Sequence, residues 1–332
     1  MSFLDVKSGA VRLLAFDYSK AFDKLPHASI IKSCIKCRVP SQCVPWLISY
    51  LSGRRQRVVI GDDVSSWVSP QSGVPQGSIL GPLLFCCVMA DLSPIHDNSM
   101  LIKYADDITL LHSVRSSSDD RLQEEFDNIL SWSNEAGLDL NFSKCSNVNF
   151  VTRKSLSLNH VFDSTGVPLT ICHTVKILGV IFSDDLRWNH HIDYVIRKAS
   201  KRIFILRNLK RSGCNSLIML RVYVSLIRSV LLYCYPSFCN APSYLHETLS
   251  RVEKRVFKLV YNNHRYNNDM FNAAHNVCNN LFLKIHDCIE HPLRVLFSLR
   301  EPSRSNRLCL RPPFAKTKRF HTSFIKFCKS VD

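Results

Sequence analysis

The chain has 332 residues, 46% of them hydrophobic, enough for one large domain or two compact ones. Its net charge of +16 is uneven: residues 1–190 carry 18 basic and 19 acidic side chains, whereas residues 191–332 carry 25 and 8. The fourteen cysteines fall in apolar runs of a large chain, which excludes a small disulfide scaffold, and no charge-free run reaches membrane-spanning length.

In chain order, Val11-Arg12-Leu13-Leu14-Ala15-Phe16-Asp17 reads as a short apolar strand ending on an acid, followed by Ala21-Phe22-Asp23. Residues 26–37 read as a helix with Pro26 near its first turn and a face of Ile30, Ile31, Cys34 and Ile35. A second helix over 41–51 is closed by Gly53. Residues 57–60 and 66–68 form a predicted hairpin around Gly61-Asp62-Asp63. From Ser72 to Phe85, three glycines and two prolines make a loop that lets backbone approach a ligand closely, and residues 83–92 continue as a buried helix.

Met100-Leu101-Ile102 and Ile108-Thr109-Leu110-Leu111 then flank Tyr104-Ala105-Asp106-Asp107, a strand, tight turn and strand with two acids at the tip. Adjacent carboxylates on a buried hairpin repel each other and resist desolvation unless a cation compensates them. A hard divalent ion such as Mg²⁺ suits oxygen ligands. With Asp17 as a third carboxylate from the first strand, the set suits a two-metal site for phosphoryl transfer. Taken alone, Asp106-Asp107 reads as a solvated turn.

Asp119 is expected to cap a helix that stops at Gly137, with short strands near 148–151 and 176–182. From His190 the pattern is helical. Ile192, Val195, Ile196, Ala199 and Ile203 share a stripe flanked by Arg197, Lys198, Lys201 and Arg202, and amphipathic helices follow over 217–233 and 245–260. A neutral first part and a strongly basic second part are the electrostatic footprint of a nucleic-acid clamp. Cys34 and Cys37 have a Cys-x-x-Cys spacing but no second pair, and Cys278, His286, Cys288 and His291 match no usual zinc spacing.

These segments, in this order, resemble the reverse transcriptases of non-LTR retrotransposons of the jockey and CR1 kind. Residues 16–23 resemble polymerase motif A, 73–85 motif B, 104–107 motif C, 137–145 motif D, and 175–182 motif E, the primer grip. The likeness covers roughly residues 11–260. It implies an α+β fold: a polymerase palm of antiparallel sheet with helices packed on one face over 1–189, and a helical basic thumb and connection over 190–300. A basic, loosely ordered tail over 301–332 would follow.

The resemblance also implies roles. Asp17 and Asp106 would hold two Mg²⁺ ions (Mn²⁺ being the alternative), with Asp107 beside them and the Tyr18 carbonyl completing one shell. Phe22 falls where the family places its gate against a ribose 2′-OH. Gln76 and Gly77 would line the nucleotide and template pocket, and Lys144 would protonate the leaving pyrophosphate. Tyr104, Lys176, Leu178 and Gly179 would meet the primer end, and Arg197, Lys198, Lys201 and Arg202 the duplex. The implied activity is RNA-directed DNA synthesis on an RNA template and DNA primer with dNTPs, away from membranes, in a reducing intracellular setting, nucleus or cytoplasm.

One departure stands out. The strand that leads into motif A begins about ten residues from the first, so most of the family's fingers region is expected to be missing before it. The alternative expectation is therefore a catalytically inactive, truncated remnant that only binds nucleic acid.

Overall fold

A computed structural model describes residues 9–151, 156–261, 269–296, 298–299 and 310–311. The chain divides into two compact units at Leu178-Gly179.

The first unit is organised by β1 (Ala10–Phe16), α1 (Ala21–Lys24), α2 (His27–Lys36) and α3 (Val44–Leu51), which a 3₁₀ turn leads into. There follow β2 (Val59–Ile60), β3 (Asp63–Val64), α4 (Leu80–Met89), β4 (Ser99–Tyr104) and β5 (Asp107–Val114). Then come α5 (Leu122–Ala136), β6 (Ser146–Val151) and β7 (Thr174–Ile177). The main sheet has the order β4-β5-β1-β6 and every pairing in it is antiparallel. β1 lies between β5 and β6, and six of its seven residues are buried, Arg12 among them. Leu14 and Phe16 of β1 share a face with Ile108 and Leu110 of β5, and α2, α4 and α5 cover that face through Ile30, Cys34, Leu84, Phe85, Phe126 and Ile129. The palm-like layer of sheet and one-sided helices is the architecture expected from the sequence.

Arg12 interrupts the apolar run of β1, and it is only 1% exposed. Its Nη1 donates to both oxygens of Asp120 at 2.9 and 2.8 Å and its Nε to Asn149 Oδ1 at 3.1 Å. Asp119 does not cap α5: the helix starts after Arg121 with no side-chain cap. The Arg121 N–H instead donates to the buried ring of His112 at 3.1 Å. Gly137 does end α5, in the left-handed conformation, against Pro26.

Three further elements differ from expectation. The hairpin after α3 is tighter, with Ile60 pairing Asp63, so Asp63 belongs to the strand and the turn is Gly61-Asp62. The helix after the glycine-rich loop starts at Leu80 and is buried on one side only: Leu83 is exposed, and Ile79, just before it, is 95% exposed. The expected single strand over 176–182 is two strands, β7 and, in the second unit, β8 (Val180–Ser183), joined by Leu178-Gly179. Both turn residues have positive φ (47° and 87°), which breaks any continuous strand there.

After β8 the second unit is helical: α6 (Asn189–Arg211), α7 (Ser216–Val222), a π-helical stretch (Tyr223–Arg228), α8 (Ser229–Leu231), α9 (Tyr235–Phe238), α10 (Ser243–Tyr261) and α11 (Asp269–Asp287). The predicted stripe of α6 is its buried face, packed with Leu249, Val252 and Val256 of α10. Inside this core the fully buried Glu253 accepts from Tyr223 Oη at 2.5 Å and from Arg228 Nη2 at 3.0 Å, which pairs a charge that would otherwise be costly to bury. Among the described residues no helix is long and apolar enough to cross a membrane. The tail expected to be loosely ordered lies outside the described residues, apart from 310–311.

Candidate active site

The acids gather because of strand register. Phe16 of β1 pairs with Ile108 of β5, so the next residues outward on the two neighbouring strands are Asp17 and Asp107. Tyr104 pairs with Asp107 across the two-residue turn Ala105-Asp106, which holds Asp106 at the same end of the sheet. Ala105 adopts a left-handed backbone (φ 53°) without being glycine, a strain typical of functional turns.

The electrostatics record the same grouping. Burial, and then the charges of Asp106 and Asp17, raise the pKa of Asp107 above the ordinary carboxylate range. Asp17 Oδ2 is shut off from solvent and takes no hydrogen bond, although the Lys144 ammonium stands 3.2 Å away. A solvent-shielded carboxylate oxygen with an ammonium beside it, next to two more carboxylates, is a donor set suited to a hard cation. Among the described residues, no three His, Cys, Asp or Glu side chains close around an ion by themselves. Mg²⁺ does not require that, since it is commonly held by one or two carboxylates with water and substrate phosphates.

The sign of the Asp107 shift makes a prediction. A raised carboxyl pKa favours the protonated folded form. Its stabilising contribution is present below the unfolded value of about 3.9 and is lost as pH rises through the folded value. At neutral pH the Asp107 charge therefore opposes folding when no cation is bound. Asp107→Asn is expected to raise the melting temperature at pH 7 in EDTA, with the gain vanishing toward pH 3. An equal gain at both pH values would separate the effect from ionisation.

Residues 137–145 are bonded directly to the acid-bearing segment. The Ser19 N–H donates to the Asp139 carbonyl at 2.9 Å, and the Asn141 N–H to the Asp17 carbonyl at 2.8 Å. That pairing delivers Lys144 to Asp17. Tyr18 turns inward instead, its hydroxyl 2.8 Å from Ser133 Oγ, and burial pushes its pKa up to about 12.

The glycine-rich loop lies along α1. The Gly73 N–H donates to the Leu25 carbonyl and the Val74 N–H to the Phe22 carbonyl, both at 2.8 Å. A Cβ on Gly73 would come within 2.7 Å of the Asp23 and Phe22 carbonyl oxygens, and its φ is +82°, so only glycine fits. Gln76 Nε2 donates to Asp23 Oδ1 at 2.7 Å, a role for Asp23 that sequence reasoning missed. Nothing packs where a Gly77 side chain would be. The Phe22 ring is half-buried and stacks on Phe85 with centroids 4.4 Å apart.

Tyr104 is well exposed on β4, and Lys176 and Leu178 are exposed as well. In the second unit Arg197, Lys198 and Lys201 are exposed along α6. Arg202 differs, since its Nη1 donates to the Leu226 carbonyl at 2.5 Å in the π-helical stretch. A structural tie of that kind cannot be read from a basic row.

The profile of the family described as reverse transcriptase (RNA-dependent DNA polymerase) matches residues 2–182. The Drosophila melanogaster protein named "Probable RNA-directed DNA polymerase from transposon BS" is 31% identical over 255 residues, covering 74% of this chain and 28% of its own. The RNA-directed DNA polymerase from mobile element jockey of Drosophila funebris is 31% identical over 190 residues, covering 53% and 20%. The chain thus spans less than a third of either relative. A telomerase structure from Candida tropicalis, in complex with a fragment of telomeric RNA, aligns at a TM-score of 0.43 and 12% identity over 85% of this chain and 44% of its own.

Proposed function

The chain belongs to the reverse transcriptase (RNA-dependent DNA polymerase) family, of the non-LTR retrotransposon kind, and on that premise we propose that it extends a DNA primer on an RNA template. The observation that carries this reading is the convergence of Asp17, Asp106 and Asp107 at one end of β1 and β5.

Asp17 and Asp106 would hold two Mg²⁺ ions, or Mn²⁺ in their place, with Asp107 and the Tyr18 carbonyl beside them. Bound there, the ions would acidify the primer 3′-OH and neutralise charge on the α-phosphate and leaving oxygen. The protein's own part is positioning. Gln76, braced by Asp23, and the open backbone at Gly77 border the incoming dNTP and the templating base. Lys144, drawn toward Asp17, is the proton donor to pyrophosphate as its P–O bond breaks. Tyr104, Lys176, Leu178 and Gly179 contact the primer end. RNA and dNTPs are intracellular, so the work is done in the nucleus or cytoplasm.

The direct test is primer extension by the purified chain on poly(rA)/oligo(dT), with Mg²⁺ and with EDTA. Mg²⁺-dependent extension is expected. No extension, with salt-sensitive binding retained, would overturn polymerase activity in favour of a nucleic-acid-binding remnant.

Two finer roles give separate predictions. The Phe22 ring, held by Phe85, is the gate against the ribose 2′-OH. Phe22→Ala should raise rNTP use relative to dNTP by roughly tenfold or more, as loss of pocket shape does elsewhere. Unchanged discrimination, measured as the ratio of kcat/KM values, would make Phe22 a core residue only. Replacing Arg197, Lys198 and Lys201 by Gln should lower the slope of log Kd against log salt by about 0.9 for each duplex phosphate that is no longer neutralised. Arg202 is left intact, because its loss would disturb the helix it ties. An unaltered slope would move the duplex elsewhere.

A further inference from the structure

The hairpin around β2 and β3 is anchored at its base and exposed everywhere else. Arg54 Nη2 donates to the Gly73 carbonyl at 3.1 Å and its Nε to the Leu51 carbonyl at 3.2 Å, which ties the first arm to the glycine-rich loop. Gln56 and Val68 pair through two backbone hydrogen bonds of 2.8 Å, and Val59 pairs with Val64 further out. Every residue from 55 to 69 is exposed. A two-stranded hairpin with no packed face is marginal in water, so this one gains from a partner when the protein works.

One side of the hairpin names the kind of partner. Arg55 and Arg57, two apart on one arm, project to the same side with Gln56 between them. Their guanidinium carbons stand 5.7 and 4.6 Å from the centre of the Trp67 ring on the other arm. Trp67 is 55% exposed. Neither arginine forms an ion pair with a carboxylate among the described residues, and the acids of the hairpin, Asp62 and Asp63, lie at its tip rather than its base. An indole able to stack a base, with two unneutralised guanidiniums over it, is the chemistry of a single-stranded nucleic-acid contact. Val58, Ile60 and Val68 are also exposed and would suit a protein segment. The paired, uncompensated arginines favour a polyanion.

We propose that Arg55, Arg57 and Trp67 hold the single-stranded RNA template just before it reaches Gln76 and Gly77. The hairpin's base is tied through Arg54 to Gly73, three residues before Gln76. This inference rests on the polymerase reading and extends it to the unpaired part of the template.

The test is fluorescence anisotropy with the full 332-residue chain in EDTA, so that catalysis plays no part. Two labelled probes are compared: a primer–template with a 5′ RNA overhang of about ten nucleotides, and the same duplex blunt-ended. Trp67→Ala should weaken overhang binding by on the order of tenfold, as loss of one base-stacking ring does elsewhere, and leave blunt binding within about twofold. Arg55→Gln with Arg57→Gln should do the same and lessen the salt dependence of the overhang increment. Trp67→Phe should restore most of the loss. Unchanged overhang binding would overturn the proposal and leave the hairpin to a protein partner. Equal losses on both probes would overturn it too, because the contact would not be with the single strand. The outcomes separate from those of primer extension: Trp67-dependent overhang binding without synthesis fails the polymerase reading alone, and synthesis with Trp67-independent binding fails this one alone.

Discussion

Asp106→Asn is expected to lower Mg²⁺-dependent primer extension by about 10³-fold or more, while primer–template affinity in EDTA changes little. The substitution keeps the size of the side chain and the two-residue turn between Tyr104 and Asp107. It removes one charge from a place where Asp107 already feels Asp106 and Asp17. A bound metal contributes several kcal/mol of charge stabilisation to phosphoryl transfer, and each 1.4 kcal/mol or so is about tenfold in rate. Loss of a carboxylate proposed to hold both ions should therefore cost about three decades or more. The same change relieves repulsion, so the melting temperature in EDTA should hold or rise. That combination, dead but no less stable, distinguishes a ligand from a core residue. Synthesis retained within tenfold of the parent would remove Asp106 from the site. A fall in stability to match the fall in activity would reassign it to folding.

What the sequence revealed depended on how far apart the interacting residues lie. The acid-ended strand, the carboxylates at the hairpin tip, the glycine stop at Gly137 and the apolar stripe of α6 are local patterns, and each has its expected place. What was illegible depends on partners far along the chain. Asp119 ends a 3₁₀ turn two residues before the helix's first flanking residue, Arg121, while Asp120 is held by Arg12, 108 residues away. A break in a strand at Leu178 is invisible while leucine is read as a strand residue, because its left-handed backbone is imposed by the turn. At the site, the residue types were readable and their braces were not. Nothing local says that Gln76 rests on Asp23, that Lys144 leans toward Asp17, or that Arg202 is spoken for by Leu226. The exposed Arg55-x-Arg57 alternation with Trp67 was available in the sequence, but its meaning depends on the two arms facing each other.

Arg12→Met is expected to be the most destabilising single change in the first unit, by about 3–5 kcal/mol, the usual cost of leaving one charge of a buried pair alone. Arg12 and Asp120 are 1% and 0% exposed at their side chains, so water cannot take over either group. Asp120 would keep one partner, the Asn159 N–H at 2.8 Å from Oδ2, which is far from neutralising a carboxylate. For a unit of this size the loss corresponds to a fall in Tm of roughly 10 °C or more. Native pairing is itself incomplete, since Arg12 Nη2 has no acceptor, and this limits what the ion pair contributes above a neutral replacement. Adding Asp120→Asn to Arg12→Met removes the stranded charge yet keeps an oxygen for the Asn159 N–H, so the double variant should regain at least half of the loss. Thermal unfolding followed by circular dichroism, at neutral pH and in EDTA, measures all three proteins. A single variant that loses less than about 1 kcal/mol, or a double variant no better than the single one, would contradict the buried pair. The consequence reaches the acid-bearing end of the same strand. Arg12 pairs opposite His112 and Asn149, and five residues on, β1 delivers Asp17 beside Asp107. A one-residue slip of β1 would turn Asp17 to the other face. Replacing Arg12 should therefore lower the fraction of chains that hold the site, with the rate per folded molecule unchanged well below the melting temperature.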